Sequence, residues 1–157
     1  MEWHFNPGDQ VVRRDLHVEY GGGTQGGISP SAKAPNVLVF SDPASGNQHG
    51  YFDGWADHKT FEYTGEGQRG DQEMIRGNAA ILNHKTDGRH LRLFEGAHGS
   101  ITYVGEFKTP EQAAWYWTDA PETGDGPIRQ VIVFRLLPIG TFYRQDDVDN
   151  RQKLLGG

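Results

Sequence analysis

The stretch at residues 51–78 reads YFDGWADHKTFEYTGEGQRGDQEMIRGN, and it carries more chemical information than any other part of the chain. It places Asp53 just after Tyr51 and Thr64 directly after Tyr63, and then enters a polar loop rich in glycine. Two aromatic rings can hold a flat polar ring between them, a carboxylate can accept a hydrogen bond from an exocyclic amine, and a hydroxyl can complete the pairing. The residue types therefore predict a site for one nucleobase taken out of its stack.

The wording of this stretch resembles the core signature of the SRA (SET- and RING-associated) domain, which flips 5-methylcytosine out of DNA. It is most similar to the SRA-like specificity domains of McrA-type, modification-dependent HNH restriction endonucleases. The resemblance extends over about residues 5–138 and includes PGDQVVRRDLHVEYGGGTQGGIS upstream and RHLRLFEG, ITYVGEF and IRQVIVFRLLP downstream. It implies a mostly β fold, a twisted β-barrel of the PUA-like class with a few short flanking helices, and the number of short strands in the sequence favours the same class.

The resemblance also implies a role for each pocket residue. Tyr51 and Tyr63 would stack on the two faces of the flipped base, and Thr64 would contact the base through its hydroxyl and its backbone amide. Gly65 and Gly67 would let the backbone approach the base closely. The alternatives are ordinary structural roles: two strand aromatics, a strand threonine and a hairpin turn.

Asp53 is the predicted acceptor for the cytosine amine, and Asp57 is the second candidate. In animal SRA domains the pocket aspartate lies three residues after the first aromatic residue, a position that Gly54 occupies here. The alternative role of Asp53 is a turn with Gly54, because Asp-Gly is a common turn dipeptide. A buried acceptor would reject thymine, which presents a carbonyl where cytosine presents an amine.

A second glycine-rich segment, GGGTQGGI at residues 21–28, resembles the loop with which SRA domains enter the minor groove. Gln25 is at its tip, between Thr24 and Gly26, where it could hydrogen-bond the guanine left unpaired by the flipped cytosine. The candidates for phosphate contacts are Arg69 and Lys59. A flexible loop and solvated surface charges are the alternatives.

The second DNA-probing finger of animal SRA domains is absent from the sequence pattern. Only Gly70 lies between Arg69 and Asp71, where those relatives carry a longer basic insertion. The shortening favours a looser specificity than hemimethylated CpG, one that includes fully modified sites and other sequence contexts.

Composition limits the class of protein. The 157 residues suit one compact domain, and 22 glycines with 8 prolines favour short strands and tight turns over helices. There is no cysteine, which excludes a disulfide, a cysteine nucleophile and cysteine-bound zinc. The net charge of −6 argues against generic DNA binding. A local basic face is nevertheless predicted, because the half with the predicted pocket carries Arg13, Arg14, Lys33, Lys59, Arg69 and Arg76.

Hydrophobic patterning predicts a strand and a short helix within residues 10–20, and further strands at residues 36–41, 59–64, 91–94, 101–107, 113–117 and 128–137. Residues 21–35 are predicted to form a long loop, and Asn78 to cap a helix over residues 79–85. Residues 1–144 would form the SRA-like domain, and residues 145–157 a polar tail or the start of a linker.

The sequence carries no catalytic signature. Its seven histidines have no metal-ligand spacing, so neither a metal nor a cofactor is expected. The chain is predicted to be a non-catalytic reader of duplex DNA with modified cytosine, 5-methylcytosine first and 5-hydroxymethylcytosine second, and to work with a separate HNH nuclease domain. The alternatives are a PUA-like RNA-binding module and an enzyme that acts on a nucleotide or a free base.

The N-terminal residues MEWHFNPGDQ lack the basic and apolar regions of a signal peptide. The longest apolar run is too short to span a bilayer. We therefore expect a cytoplasmic, DNA-associated bacterial protein without a membrane partner.

Overall fold

The computed structural model describes residues 2–42, 53–122 and 126–144. In chain order these residues form β1 (Gln10–Val12), α1 (Arg13–Tyr20), β2 (Ile28–Ser31), β3 (Asn36–Ser41), β4 (Gly54–Trp55), β5 (Phe61–Thr64), α2 (Arg76–Leu82), β6 (His90–Glu95), β7 (Ser100–Lys108), β8 (Trp115–Pro121) and β9 (Ile128–Pro138). Strand predominates over helix, which confirms the predicted mostly β class. The predicted tail at residues 145–157 lies outside the described residues.

The nine strands of the described residues form one sheet with the order β2-β3-β6-β7-β9-β5-β4, to which β1 is added on β7 and β8 on β9. The pairs are antiparallel except that β3 runs parallel to β6. Among these residues β2 and β4 end the path without pairing to each other, so the sheet is not closed and the predicted barrel is an open sheet.

Strand β3 is buried along its whole length because both faces of the sheet are covered there. Alternation places Val37 and Val39 in the larger core cluster, and Leu38 and Phe40 in a second cluster with α1. The run NVLVFS therefore lacks the polar alternation of a half-exposed strand. It ends at Ser41, whose hydroxyl reaches the candidate site.

The boundaries predicted for one helix and one strand are wrong. The helix predicted over residues 79–85 begins at Arg76 and ends at Leu82, and Asn78 lies inside it rather than at its cap. The strand predicted over residues 113–117 begins only at Trp115, because Ala113 has a left-handed φ of 55° that a strand does not accommodate.

Strands β2 and β4 are absent from the sequence-based prediction. The segment ISPS of β2 contains Pro30, which normally argues against a strand but is tolerated at a sheet edge, where β2 lies. Strand β4 has only two residues, too few to show a periodic pattern. No helix in the described parts of the chain has the length and apolar character needed to cross a bilayer.

Candidate base-binding site

The candidate site is built where β3, β4 and β5 approach one another. Asp53 directly precedes β4, Ser41 ends β3 and Thr64 ends β5. The Asp53 carboxylate joins them, since Oδ1 accepts from the Thr64 backbone N–H at 2.8 Å and Oδ2 accepts from the Ser41 hydroxyl at 3.0 Å. Three strand ends are thus tied to one partly buried acid.

The environment of Asp53 suits a buried acceptor. Burial raises the pKa of its carboxyl above the ordinary value, while the hydrogen bonds from Thr64 and Ser41 act in the opposite direction. Each carboxylate oxygen has a further lone pair beyond the bond described, so the group can still accept from a ligand amine. The two internal bonds fix the orientation in which it would do so.

Tyr63 and Thr64 are both buried side chains at the end of β5. The Tyr63 ring packs in the larger core cluster, and its hydroxyl lies 3.0 Å from the Gly27 carbonyl and 3.2 Å from that of Phe40. Tyr51 lies outside the described residues. The stacking of a base between the two tyrosines therefore stays a prediction, as does the contact from Thr64.

Asp57 lies in an exposed turn between β4 and β5. Its Oδ1 accepts from the backbone N–H groups of Lys59 and Thr60, both at 2.8 Å, and these bonds lower the pKa of its carboxyl. This is the local turn-forming use of an aspartate. Of the two candidates, the geometry links Asp53 and not Asp57 to Thr64, and which of them accepts from a base stays a prediction.

The pocket loop, residues 65–71, follows Thr64 and is held from inside by Gln72. The Gln72 amide, 3% exposed, donates to the carbonyls of Gly65 at 2.7 Å and Gly67 at 3.1 Å, and accepts from Ile132 N–H of β9 at 2.9 Å. A Cβ added to Gly65 would lie 2.7 Å from Asn78 Oδ1. Glycine is required there because the protein's own side-chain amides approach closely, and the predicted approach to a base stays a prediction.

Asn78 of α2 also holds the pocket loop through hydrogen bonds. Its side-chain amide accepts from Glu66 N–H at 2.8 Å and donates to the carbonyls of Glu66 and Glu73 at 3.0 and 2.9 Å. The Glu66 carboxylate in turn accepts from Gly77 N–H at 2.9 Å. The side chain of Asn78 is therefore committed to the pocket loop, which explains why it does not cap the helix.

A cavity of about 620 Å³ is lined in part by the pocket loop, and Arg69 and Arg76 are among its lining residues. Both side chains are exposed, as is Lys59 in the turn that Asp57 closes. Their positions allow the predicted phosphate contacts of Arg69 and Lys59, which stay predictions. The cavity also carries carboxylates, Glu66, Asp71 and Glu73, so its lining is not uniformly basic.

The groove loop, residues 21–27, has an exposed tip made of Thr24, Gln25 and Gly26. Gln25 is therefore accessible, as its predicted role requires. Arg13, counted above with the local basic face, is only 3% exposed and cannot present its charge to a phosphate. The basic face is correspondingly smaller than the sequence suggests.

Sequence reasoning missed the supporting residues of the site, which are Gln72, Asn78 and Arg129. Arg129, 5% exposed, donates through Nη1 to the carbonyls of Gly67 and Gly70. The signal available was that GDQ and RGN lie in the same conspicuous stretch as the pocket residues. Gln72 bonds to Ile132 of β9 and Arg129 of β9 bonds to Gly67, in each case across about sixty residues of sequence, where no local pattern points.

Metal binding has no visible basis in this part of the chain. Within residues 2–42, 53–122 and 126–144, no three His, Asp or Glu side chains come together in a way that could hold an ion.

Similarity to known proteins bears on this geometry. A family model described as the ScoMcrA-like SRA domain matches residues 7–155. The chain is similar in structure to the sulfur binding domain and SRA domain of ScoMcrA complexed with phosphorothioated DNA, with a TM-score of 0.65 and 23% identity over 90% of this chain and 44% of that one. It is also similar to the SUVH5 SRA domain complexed with fully methylated CG DNA, with a TM-score of 0.61 and 20% identity over 88% and 91%.

The chain spans less than half of the ScoMcrA chain and most of the SUVH5 domain. No curated protein sequence matches it. The family match covers the sheet and both glycine-rich loops, and it confirms the resemblance drawn from residues 51–78. The chain belongs to the family of ScoMcrA-like SRA domains.

Proposed function

We propose that this SRA domain binds duplex DNA and flips a modified cytosine into the site of Tyr51, Asp53, Tyr63 and Thr64. The observation that carries the proposal is the Asp53 carboxylate, which is partly buried and oriented by hydrogen bonds from Thr64 N–H and the Ser41 hydroxyl. A binding role for DNA is supported by relatives of the same fold. ScoMcrA domains are complexed with phosphorothioated DNA, and SUVH5 SRA domains with methylated and hydroxymethylated CG DNA.

The chemistry of Asp53 favours cytosine over thymine. An ionised carboxylate only accepts hydrogen bonds, and the cytosine N4 amine donates, whereas thymine presents a second acceptor at that position. Placing two acceptors together in a desolvated site is strongly unfavourable. Asp53 therefore selects the base, and the choice between 5-methylcytosine and 5-hydroxymethylcytosine falls to the groups around its 5-substituent, among them Thr64.

The acidic chain makes the flipped base important for affinity. With a net charge of −6, contacts to phosphates contribute less than in a basic DNA-binding protein. Binding energy then has to come from the pocket and from Gln25 in the vacated position. The expected result is a large ratio between affinities for modified and unmodified duplexes.

The domain acts as a specificity module rather than as an enzyme. The full ScoMcrA endonuclease is a much longer protein, of which this chain matches 26%. We propose that cleavage belongs to a separate HNH nuclease domain, and that the protein works on DNA in the bacterial cytoplasm.

Competition binding tests the proposal. The domain is titrated at one fixed salt concentration with otherwise identical duplexes carrying 5-methylcytosine, 5-hydroxymethylcytosine, unmodified cytosine or a phosphorothioate linkage, and with an RNA of the same sequence. We expect at least roughly 10-fold tighter binding to one of the modified-cytosine duplexes than to the unmodified one. Equal affinity for the modified-cytosine duplexes and the unmodified duplex would overturn the proposal. Tighter binding to the RNA would favour an RNA-binding module.

A further inference from the structure

The groove loop has an anchor inside the protein. Arg13 begins α1, and its guanidinium lies over the Phe40 ring, 3.7 Å from the ring centroid. Its Nη2 donates to the backbone carbonyls of Gly23 and Gly26, at 3.3 and 3.0 Å. These two carbonyls flank the tip that carries Gln25, so one side chain holds both ends of the tip.

The other two guanidinium nitrogens of Arg13 are also engaged. Nη1 donates to the Ala97 carbonyl, in the turn between β6 and β7, at 2.9 Å. Nε donates to His17 Nε2 at 3.0 Å, and His17 Nδ1 lies 2.7 Å from the Gly21 carbonyl. In the neutral tautomer with the proton on Nδ1, the imidazole accepts from Arg13 and donates to Gly21. The first residue of the groove loop is thereby tied to the same anchor.

The last residue of the groove loop rests on the candidate base site. The Gly27 carbonyl accepts from the Phe40 N–H at 2.8 Å and from the Tyr63 hydroxyl at 3.0 Å. A Cβ added to Gly27 would lie 2.5 Å from the Tyr63 hydroxyl oxygen. Phe40 therefore carries Arg13 on its ring and Gly27 on its backbone, which joins the loop and Tyr63 into one hydrogen-bonded unit.

We propose that Arg13 is a positioning residue that holds the groove loop in its DNA-binding shape before DNA arrives, at a fixed place relative to Tyr63. The inference rests on the proposed function, in which Gln25 fills the position of the flipped base. A glycine-rich loop that had to be ordered on binding would lose conformational entropy at that step. A loop held in advance by a buried cation avoids this loss.

A direct phosphate contact is the competing role for an arginine in a DNA-binding domain. Burial argues against it, because 3% exposure leaves the guanidinium inside the protein. The salt dependence of binding separates the two roles. Each phosphate contact contributes about −0.9 to the slope of log K against log salt concentration, whereas a positioning residue contributes nothing to the slope.

The first experiment measures the loop without DNA. Backbone ¹⁵N order parameters are recorded for the wild type and for Arg13→Lys, which keeps the charge and loses the fork of donors. We expect values of about 0.85 for residues 23–27 in the wild type and below about 0.6 in the variant. Unchanged values would overturn the proposal, and Arg129→Lys is the matched control that should leave these residues rigid.

The second experiment measures binding to the preferred modified duplex by the wild type, Arg13→Gln, Gln25→Ala and the double variant, because only a variant that loses the charge would lose a phosphate contact. We expect Arg13→Gln to weaken binding roughly 10-fold with an unchanged salt slope, and the double variant to be within about 2-fold of Arg13→Gln alone. Additive losses, or a slope smaller in magnitude by about 0.9, would overturn the proposal. If the wild type shows no preference for modified DNA, the proposed function fails, while the order parameters still decide the role of Arg13.

A gentler variant covers the case in which Arg13→Lys does not fold. Ser29→Ala removes the hydroxyl that donates to the Gly23 carbonyl at 2.8 Å, on the same atom that Arg13 grips. It should lower the order parameters of the tip and weaken binding about 2-fold to 3-fold, in the same direction and by less. A folded Ser29→Ala protein with neither effect would contradict the preformed loop.

Discussion

The groove loop and the pocket loop are both rich in glycine, and each is gripped by a buried arginine. Arg13 donates to the carbonyls of Gly23 and Gly26, and Arg129 donates to those of Gly67 and Gly70. In both loops the two carbonyls are three residues apart, and the arginines are only 3% and 5% exposed. The chain thus uses two of its 15 basic side chains inside the protein rather than against DNA.

The loops differ in what else supports them. The pocket loop is bound along its backbone by the buried amides of Gln72 and Asn78, which connect it to β9 and α2. The groove loop is held through carbonyls at the two sides of its tip, and the tip itself is exposed. The difference suggests that the pocket loop is a rigid part of the site, whereas the groove loop presents an exposed tip to DNA. Substitutions that remove a support of the pocket loop should therefore lower stability, and substitutions at the tip of the groove loop should lower affinity for DNA.

The largest effect on stability is expected for Asn78→Ala, which removes a support of the pocket loop. It leaves the Glu66 N–H and the carbonyls of Glu66 and Glu73 without their partner, and we expect it to lower the free energy of unfolding by about 3 kcal/mol. Urea unfolding followed by tryptophan fluorescence measures this loss. Exposed Asn83→Ala is the control, and Ser29→Ala beside the groove loop should cost only about 1 kcal/mol. Comparable losses in all three would remove the distinction between the loops.

Asp53→Asn should have the largest effect on binding. The asparagine keeps the shape and can still accept from Thr64 N–H, but it no longer offers two carboxylate oxygens to a donor amine. We expect binding to the modified duplex to weaken by about 1–3 kcal/mol with little loss of stability. Asp57→Asn is matched to it, because an asparagine can form the same exposed turn. A titration in which Asp57→Asn weakens binding more would move the pocket carboxylate to Asp57.

Gln25→Ala directly tests the role of the exposed tip of the groove loop. We expect it to leave stability unchanged, because the tip is exposed, and to weaken binding by about 1 kcal/mol, because the orphaned guanine loses a partner. The loss should be largest on fully paired modified duplex and smallest where the opposite guanine is replaced by an abasic site. An equal loss on both substrates would show that Gln25 shapes the loop instead of contacting the guanine.

The smallest effect concerns pH and only the groove loop. Burial, followed by the nearby charge of Arg13, lowers the pKa of His17, although its bond to the Gly21 carbonyl acts the other way. The folded protein therefore favours neutral His17. Its contribution to stability is complete above the unfolded pKa of about 6.5 and declines as pH falls below that value towards the lowered pKa.

His17→Gln isolates this contribution. Glutamine can accept from Arg13 and donate to Gly21 without titrating. We expect the melting temperature of the variant to fall less than that of the wild type between pH 7.5 and pH 5, by an amount that corresponds to about 1 kcal/mol or less. His84, whose pKa is also lowered by burial, is present in both proteins and cancels in the comparison. Parallel curves would show that His17 does not titrate in this range.

Much of the fold was predictable because it follows local patterns. The run NVLVFS predicts β3, and the alternation of the downstream segments predicts β6, β7 and β9 to within a residue or two. Strand β2 was not predicted, because Pro30 argues against a strand. Its pairing with β3 at the sheet edge outweighs that composition. Whether the sheet closes into a barrel could not be predicted, because closure depends on pairing between edge strands that are far apart in sequence.

The candidate site was likewise predictable only where it follows local sequence motifs. Asp53, Thr64 and Gln25 could be named because they lie in motifs, and the structure places Asp53 beside Thr64 as one unit. The roles of Arg13 and Arg129 could not be predicted, because a basic residue near a DNA site looks like a phosphate contact until its burial is known. Contacts between residues far apart in sequence determine which arginines face inward.

The most direct test of the central claim is base flipping itself. A duplex is prepared with 2-aminopurine next to the modified cytosine, and its fluorescence is followed as the domain is added to saturation. Loss of stacking on the flipped base should brighten the probe on the modified duplex. The account predicts a clear increase with the wild type, and a smaller increase at equal occupancy with Asp53→Asn. Saturating binding to the modified duplex without any increase would contradict it.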